Sequence, residues 1–285
     1  MESEGFQRIL AAVDFSEHSA AALGFAAALR ACGNARLAAL FADSFLPPPY
    51  FTAAQTDQFK RQWSEWKQGA DAALRRFLAD TLGDKSGDIE TLLVEMSPAE
   101  AILHTASLWR ADLVVMGTHG RSGIKRYMLG SVAERVLRGS RIPVLVARQG
   151  TGFQPIRSIL CPVNDSPAAR QSLRLASRLA ECFHATLTVL HVHEPGRAGG
   201  SIQDLCAWVP AEERSHCTVR ELTRDGEAAR EIVGLAPELG CDLLVIGAQH
   251  RRFADSTVLG ATSVRVLRHA ACPILAVPLG PPAES

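Results

Sequence analysis

The sequence lacks several things, and each absence removes a class of reading. It has no excess of either charge, since 30 Lys and Arg face 30 Asp and Glu. A general nucleic-acid binder carries an obvious basic surplus, so that class is set aside. No apolar run approaches a membrane span; the run Ala20 to Leu29 has roughly half the length one requires. The acidic start Met1-Glu2-Ser3-Glu4 lacks a secretory n-region and h-region, so a soluble, cytoplasmic protein with no membrane partner is expected. Cysteine is present but unpatterned. There are seven (Cys32, Cys161, Cys182, Cys206, Cys217, Cys241 and Cys272), an odd number with no Cys-x-x-Cys pair. That speaks against a disulfide framework and makes core filling the expected role. Phosphotransfer machinery is missing too: there is no Walker-type lysine loop and no evident set of Mg2+-binding carboxylates.

What is present is an ordinary globular composition, 47% hydrophobic and 21% charged, in a chain of 285 residues. At roughly 100–200 residues per domain, that length suggests two domains. An internal repeat supports this. Asp112-Leu-Val-Val-Met-Gly117 returns as Asp242-Leu-Leu-Val-Ile-Gly247, and Arg135-Val-Leu-Arg138 as Arg265-Val-Leu-Arg268, both at an offset of 242 − 112 = 130. Ile9 to Ser16 matches Ile159 to Ser166 at an offset of 159 − 9 = 150. The 20-residue difference is an insertion in the first copy. A period this long is a duplicated domain, not a solenoid unit. The expected domains are 1–148 and 155–280, with a short linker between them.

Each copy alternates strands with helices. In the first, Arg8 to Val13 and Arg36 to Ala42 read as strands, as do Asp88 to Met96, Asp112 to Met116 and Ile142 to Ala147. Ser16 can cap a helix ending at Gly33, Ser97-Pro98-Ala99-Glu100 reads as a capping box, and another helix starts at Ser131. This order implies right-handed crossovers and parallel sheets with helices on both faces, an α/β Rossmann-like fold. The insertion shows Phe59, Trp63, Trp66, Ala70, Ala73 and Phe77 at helical spacing, as in an amphipathic helix laid on the sheet.

Ligands of open parallel sheets bind beyond the carboxyl ends of the strands, near the switch in strand order. The first copy puts a glycine-rich loop there, from Gly117 through Gly120 to Gly130-Ser131. Glycines let backbone amides approach a ligand, the following helix favours anions, and Ser131 adds a hydroxyl. Arg121, Lys125 and Arg126 add positive charge, which suits a polyphosphate. Asp14, ending the first strand, would face the same crevice and accept hydrogen bonds from a sugar or base.

The spacing Gly-x2-Gly-x9-Gly-Ser, with Asp14-Phe-Ser16 after an apolar strand, resembles the universal stress protein family. The resemblance covers the whole chain twice. It implies five parallel strands per domain and ATP or another adenine nucleotide as ligand, with Mg2+ as an optional companion. By position, Asp14 and the backbone near Ala42 would hold the adenosine part. Met116, Gly117, Gly120, Gly130, Ser131 and Val132 would hold ribose and phosphates. The family's last strand mediates dimerisation, so the two copies are expected to pack as an internal pseudo-dimer, with a further homodimer left open.

The second copy departs from the pattern: His250 replaces the second glycine, Ala261 the hydroxyl residue and Asn164 the aspartate. Its site reads as impaired or altered. His191 and His193 alternate onto one strand face, a weak zinc signal with no standard ligand spacing, and no metal site or catalytic residue is assigned. A nucleotide-dependent regulator of a stress response is the leading expectation. A weak ATPase, with His119 as a base, and a nucleotide-independent scaffold are the alternatives.

Overall fold

The computed structural model describes residues 5–43, 53–118, 129–148, 155–195, 217–248 and 256–279, with 202, 206–208 and 250–253; of 53–67, 250–253 and 256–258 only the backbone is described. The first apolar run forms β1 (Arg8–Val13), and after it the Ser16 hydroxyl accepts the Ser19 amide at 3.2 Å and starts α1 (Glu17–Gly33). Asn34 then takes the left-handed conformation, φ 51°, that ends a helix. The remaining elements of this repeat are β2 (Arg36–Ala42), α2 (Ala53–Leu82), β3 (Glu90–Val94), α3 (Pro98–Leu108), β4 (Leu113–Gly117), α4 (Ser131–Gly139) and β5 (Val144–Ala147). The sheet order is β3-β2-β1-β4-β5, all parallel.

The second repeat follows the same plan with β6 (Ser158–Val163), α5 (Pro167–Phe183), β7 (Thr186–His193), β8 (Thr218–Asp225), α6 (Ala228–Glu238) and β9 (Leu243–Ala248). Next, β10 (His250–Phe253) pairs antiparallel with β11 (Ser256–Leu259). Then α7 (Ala261–His269) leads into β12 (Ile274–Pro278). The two five-stranded halves join edge to edge into one ten-stranded sheet, β3-β2-β1-β4-β5-β12-β9-β6-β7-β8. The seam is the antiparallel pair β5–β12, and Leu145 sits opposite Leu275, its counterpart at 275 − 145 = 130. Across the seam the buried Arg148 guanidinium donates to the Leu267 carbonyl in the last turn of α7. One apolar layer packs α1, α2 and α5 on the sheet, and the other packs α3, α4, α6 and α7.

Three expectations need correction. Ser97 does stand at the N-cap of α3, but its hydroxyl bonds the Glu100 carboxylate instead of a backbone amide, so the capping box is incomplete. In α2 the inward positions are Ala70, Leu74 and Leu78, with Phe77 packed against them, whereas Ala73 faces solvent. Phe59, Trp63 and Trp66 have side chains outside the described set. The third correction concerns cysteine. Cys161, Cys206, Cys241 and Cys272 are buried thiols as expected, and burial pushes the Cys161 thiol up to about 12. Cys32 and Cys182, however, form a disulfide between α1 and α5. The count and local spacing of the cysteines gave no sign of it, because the partners lie in different repeats and meet only when the repeats pack.

Candidate functional site

Strands β1 and β4 are neighbours whose connections run in opposite directions, one to β2 and the other to β5, so a crevice opens beyond their carboxyl ends. A cavity of about 200 Å3 lies there. Seven of the expected residues line it: Asp14, Ala42, Met116, Gly117, Gly130, Ser131 and Val132. Gly120 and Arg121 lie outside the described residues, as do Lys125, Arg126 and His119. Ala12 and Val13 precede Asp14 in the lining and Leu40 stands two residues before Ala42, so strand alternation accounts for Ala12 and Leu40 but not for Val13. Ser19, Pro98, Ile102, Thr118 and Ala133 also contribute, and no local motif pointed to them.

Asp14 sits at the turn between β1 and α1. Its Oδ1 accepts the Ser16 amide at 3.1 Å and the Ser16 hydroxyl at 2.5 Å, which fixes the carboxylate at the cavity wall. Phe15 next to it has φ 64°, uncommon for a large side chain. Its ring packs against Phe41 at 4.8 Å and Phe77 at 5.5 Å, which holds that conformation in place.

Gly117 has a role the sequence did not suggest. A Cβ built there would stand 2.7 Å from His18 Cβ and 3.0 Å from the His18 carbonyl carbon. Its absence lets α1 press directly on the end of β4. Gly247 stands in the same relation to Ala168, with 2.8 Å to its carbonyl carbon. The His18 ring then lies 3.3 Å, Nδ1 to Oγ1, from buried Thr118. Burial lowers the His18 pKa below its ordinary value, and nearby Asp14 and Glu17 oppose that shift.

The Gly130 amide donates to the Thr118 carbonyl at 2.9 Å, and the Thr118 amide donates to Ala147 at 3.0 Å. These bonds close the base of the loop and aim α4 at the crevice. Gly130 is the extended N-cap and has no side chain to cap the helix; the first helical bond is Glu134 N–H to the Gly130 carbonyl at 2.9 Å. The amides of Ser131, Val132 and Ala133 therefore have no carbonyl partner within the helix, and these residues line the cavity. An uncapped helix start, the kind of terminus that favours anions, thus shares one cavity with a carboxylate.

The second repeat keeps the frame and changes the chemistry. Asn164 accepts the Ser166 hydroxyl at 2.6 Å, reproducing the Asp14 turn without the charge. Ser263, where the first repeat has Ala133, donates to the Gly247 carbonyl at 3.1 Å. Two acids flank the start of α6: Glu194 accepts the Ala228 amide at 3.2 Å, and Glu227 pairs with Arg265 at 2.7 Å. His191 and His193 share a face, as alternation required, with ring centroids 4.6 Å apart. Among the described residues, no group of three or more His, Cys, Asp or Glu is placed to hold a metal ion.

Comparison with known proteins gives a consistent result. The universal stress protein family matches residues 5–148 and again 155–278. A universal stress protein of Methanocaldococcus jannaschii is 41% identical over 85 residues, 29% of this chain and 48% of that protein, so the match spans about half the relative's length. One from Thermus aquaticus is 32% identical over 147 residues, covering 50% of this chain and 99% of the relative. The crystal structure of a universal stress protein from Archaeoglobus fulgidus covers 96% of this chain and 98% of its own, with a TM-score of 0.73 at 19% identity, a likeness of fold. With two family matches in tandem along one continuous sheet, this chain belongs to the universal stress protein family.

Proposed function

We propose that this chain is a cytoplasmic, nucleotide-dependent regulator of a stress response whose N-terminal repeat binds ATP or a related adenine nucleotide. The observation that carries the proposal is the cavity at the β1–β4 switch point, where Asp14 and the uncapped start of α4 line one space. The phosphates fit the amides of Ser131, Val132 and Ala133 and the Ser131 hydroxyl, with Gly120 and Arg121 from the loop as further donors. The adenosine part fits the opposite wall, where Asp14 accepts hydrogen bonds and Ala42 and Met116 supply apolar contact. Among the described residues of this lining Asp14 is the one carboxylate, so Mg2+ would enter with the polyphosphate and not be held by a protein cage. The second repeat, with Asn164 and Ala261 where the first has Asp14 and Ser131, takes no part in phosphate binding on this reading.

Calorimetric titration of the purified chain with ATP, ADP and AMP tests this. Saturable binding at one site is expected, without conversion of ATP to ADP. Ser131→Asp should weaken it by about tenfold or more, because it sets a carboxylate against the phosphates at the helix start. Ala261→Ser should change nothing. No binding of any of the three nucleotides by wild type would reject the proposal.

A further inference from the structure

The Cys32–Cys182 disulfide joins equivalent positions of the two repeats, since 182 − 32 = 150 is the offset of their opening segments. Leu145 and Leu275, also equivalent, face each other in the β5–β12 seam. Residues that meet their own counterparts lie on the rotation axis relating the repeats, so the disulfide and the seam mark two points on one pseudo-twofold axis. Strand pairing across that axis is short. Ile274, Leu275 and Ala276 face Val146, Leu145 and Val144. In the helical layer the disulfide ties the end of α1 to the end of α5.

Helix α1 carries that attachment to the cavity. Its last turn holds Cys32, while its first turn presses His18 on Gly117 and Thr118 and places Ser19 in the cavity lining. A helix of 17 residues moves as a rod, so what fixes one end constrains the other. Both bonded cysteines are half-buried, whereas Cys161, Cys206, Cys241 and Cys272 are buried. In the cytoplasmic setting proposed above, a disulfide reachable from solvent belongs to the class that forms and breaks with redox poise.

We propose that Cys32–Cys182 is a thiol–disulfide exchange site for low-molecular-weight thiols of the glutathione class, and that the closed bond clamps α1 against the wall of the N-terminal cavity. A thiolate attacks one sulfur, forms a mixed disulfide and releases the other cysteine as a thiolate, which takes up a proton. A second thiolate attacks the mixed disulfide and frees the remaining cysteine. Two small thiols are oxidised to one small disulfide while the protein bond gains two electrons and two protons; the small disulfide drives the reverse. The effect on the ligand rests on the nucleotide reading, but the exchange itself does not.

The test uses the full chain in buffers of fixed reduced-to-oxidised glutathione ratio. Differential alkylation with mass spectrometry should show Cys32 and Cys182 passing together from protected to reactive as the ratio rises, with the four buried thiols unchanged. Amide hydrogen exchange should speed up in the last turns of α1 on reduction. Reduced wild type should bind ATP about fivefold or more weakly than oxidised, and Cys32→Ser should bind like the reduced protein in both buffers. Alkylation of Cys32 in the oxidised buffer, or identical α1 exchange and identical affinity in both states, would overturn the proposal. A redox response of α1 with no ATP binding in either buffer would instead overturn the nucleotide reading and uphold the exchange site.

Discussion

Gly117 and Gly247 show how one residue type is kept for a reason its motif hides. The Gly-x2-Gly spacing suggested that Gly117 admits a ligand. The geometry adds a demand that comes from inside the protein, since His18 occupies the space a Cβ would need. Gly247 faces the same demand in a repeat where His250 and Ala261 break the glycine–serine pattern, so the packing demand does not depend on that pattern. Gly117→Ala should therefore destabilise the protein by ~1–3 kcal/mol through overpacking, and Gly247→Ala by a similar amount. Chemical denaturation checks both, and ATP binding should fall only for the first. His18 supplies a pH signature. Burial holds its folded pKa below the ordinary value, so the unfolded chain binds the proton more readily. Stability should be unaffected by this group above the unfolded pKa near 6.5, decline as pH falls below it, and level off once the folded pKa is passed. His18→Gln should remove that part of the slope when denaturation midpoints at pH 7.5 and pH 5.5 are compared. The placement of Asp14 and the start of α4 at one cavity was legible in the sequence because strand ends and glycine spacing encode it. Thr118 and His18 were not, since their meeting depends on how closely α1 approaches β4.

The elements with a strong period were legible. The first and second strands run over Arg8–Val13 and Arg36–Ala42 as expected, and α4 begins at Ser131. Ends without a cap signal moved instead: the third strand is Glu90–Val94, not Asp88 to Met96, and the first repeat's final strand starts two residues late, after Pro143. The β10–β11 hairpin was invisible because His250-Arg-Arg-Phe253 neither alternates nor ends in a glycine turn. Helix α2, the insertion, has a packing role that its stripe conveyed only in part. Asp71 accepts from Arg75 at 2.8 Å and from the Thr91 hydroxyl at 2.8 Å, which ties the helix to the outer strand β3. The Arg75 hydrogen bond holds the Asp71 carboxyl below the usual carboxylate range. Removing the tie with Asp71→Ala should cost about 0.5–1.5 kcal/mol, the worth of a solvent-facing hydrogen-bond pair. Limited proteolysis within α2 should accelerate in that variant while cleavage in the second repeat stays constant.

At the scale of the whole molecule, the outer strands β3 and β8 carry polar side chains where the seam strands carry apolar ones. On one side α2 is tied to β3, and on the other β8 presents exposed Arg220, Glu221, Arg224 and Asp225. The edges that do pair are β5 and β12, short, apolar and buried. Their register is self-matching: Leu145 meets Leu275, and Val144 and Val146 meet the counterparts of each other. A surface that pairs with its own repeat equivalent should also pair with a second copy of itself, because an isologous contact needs only the same patch twice. Residues 1–148 expressed alone should therefore form a dimer through β5 in sedimentation analysis. Under oxidising conditions, Cys32 of one copy should bond Cys32 of the other, as Cys32 bonds Cys182 within the full chain. Leu145→Asp should return the fragment to a monomer, since an unpaired carboxylate at the buried centre of the seam costs several kcal/mol. A wild-type fragment that stays monomeric would mean that the seam depends on contacts the repeats do not share, with Arg148 on Leu267 foremost among them, because the counterpart of Arg148 at 148 + 130 = 278 is Pro278.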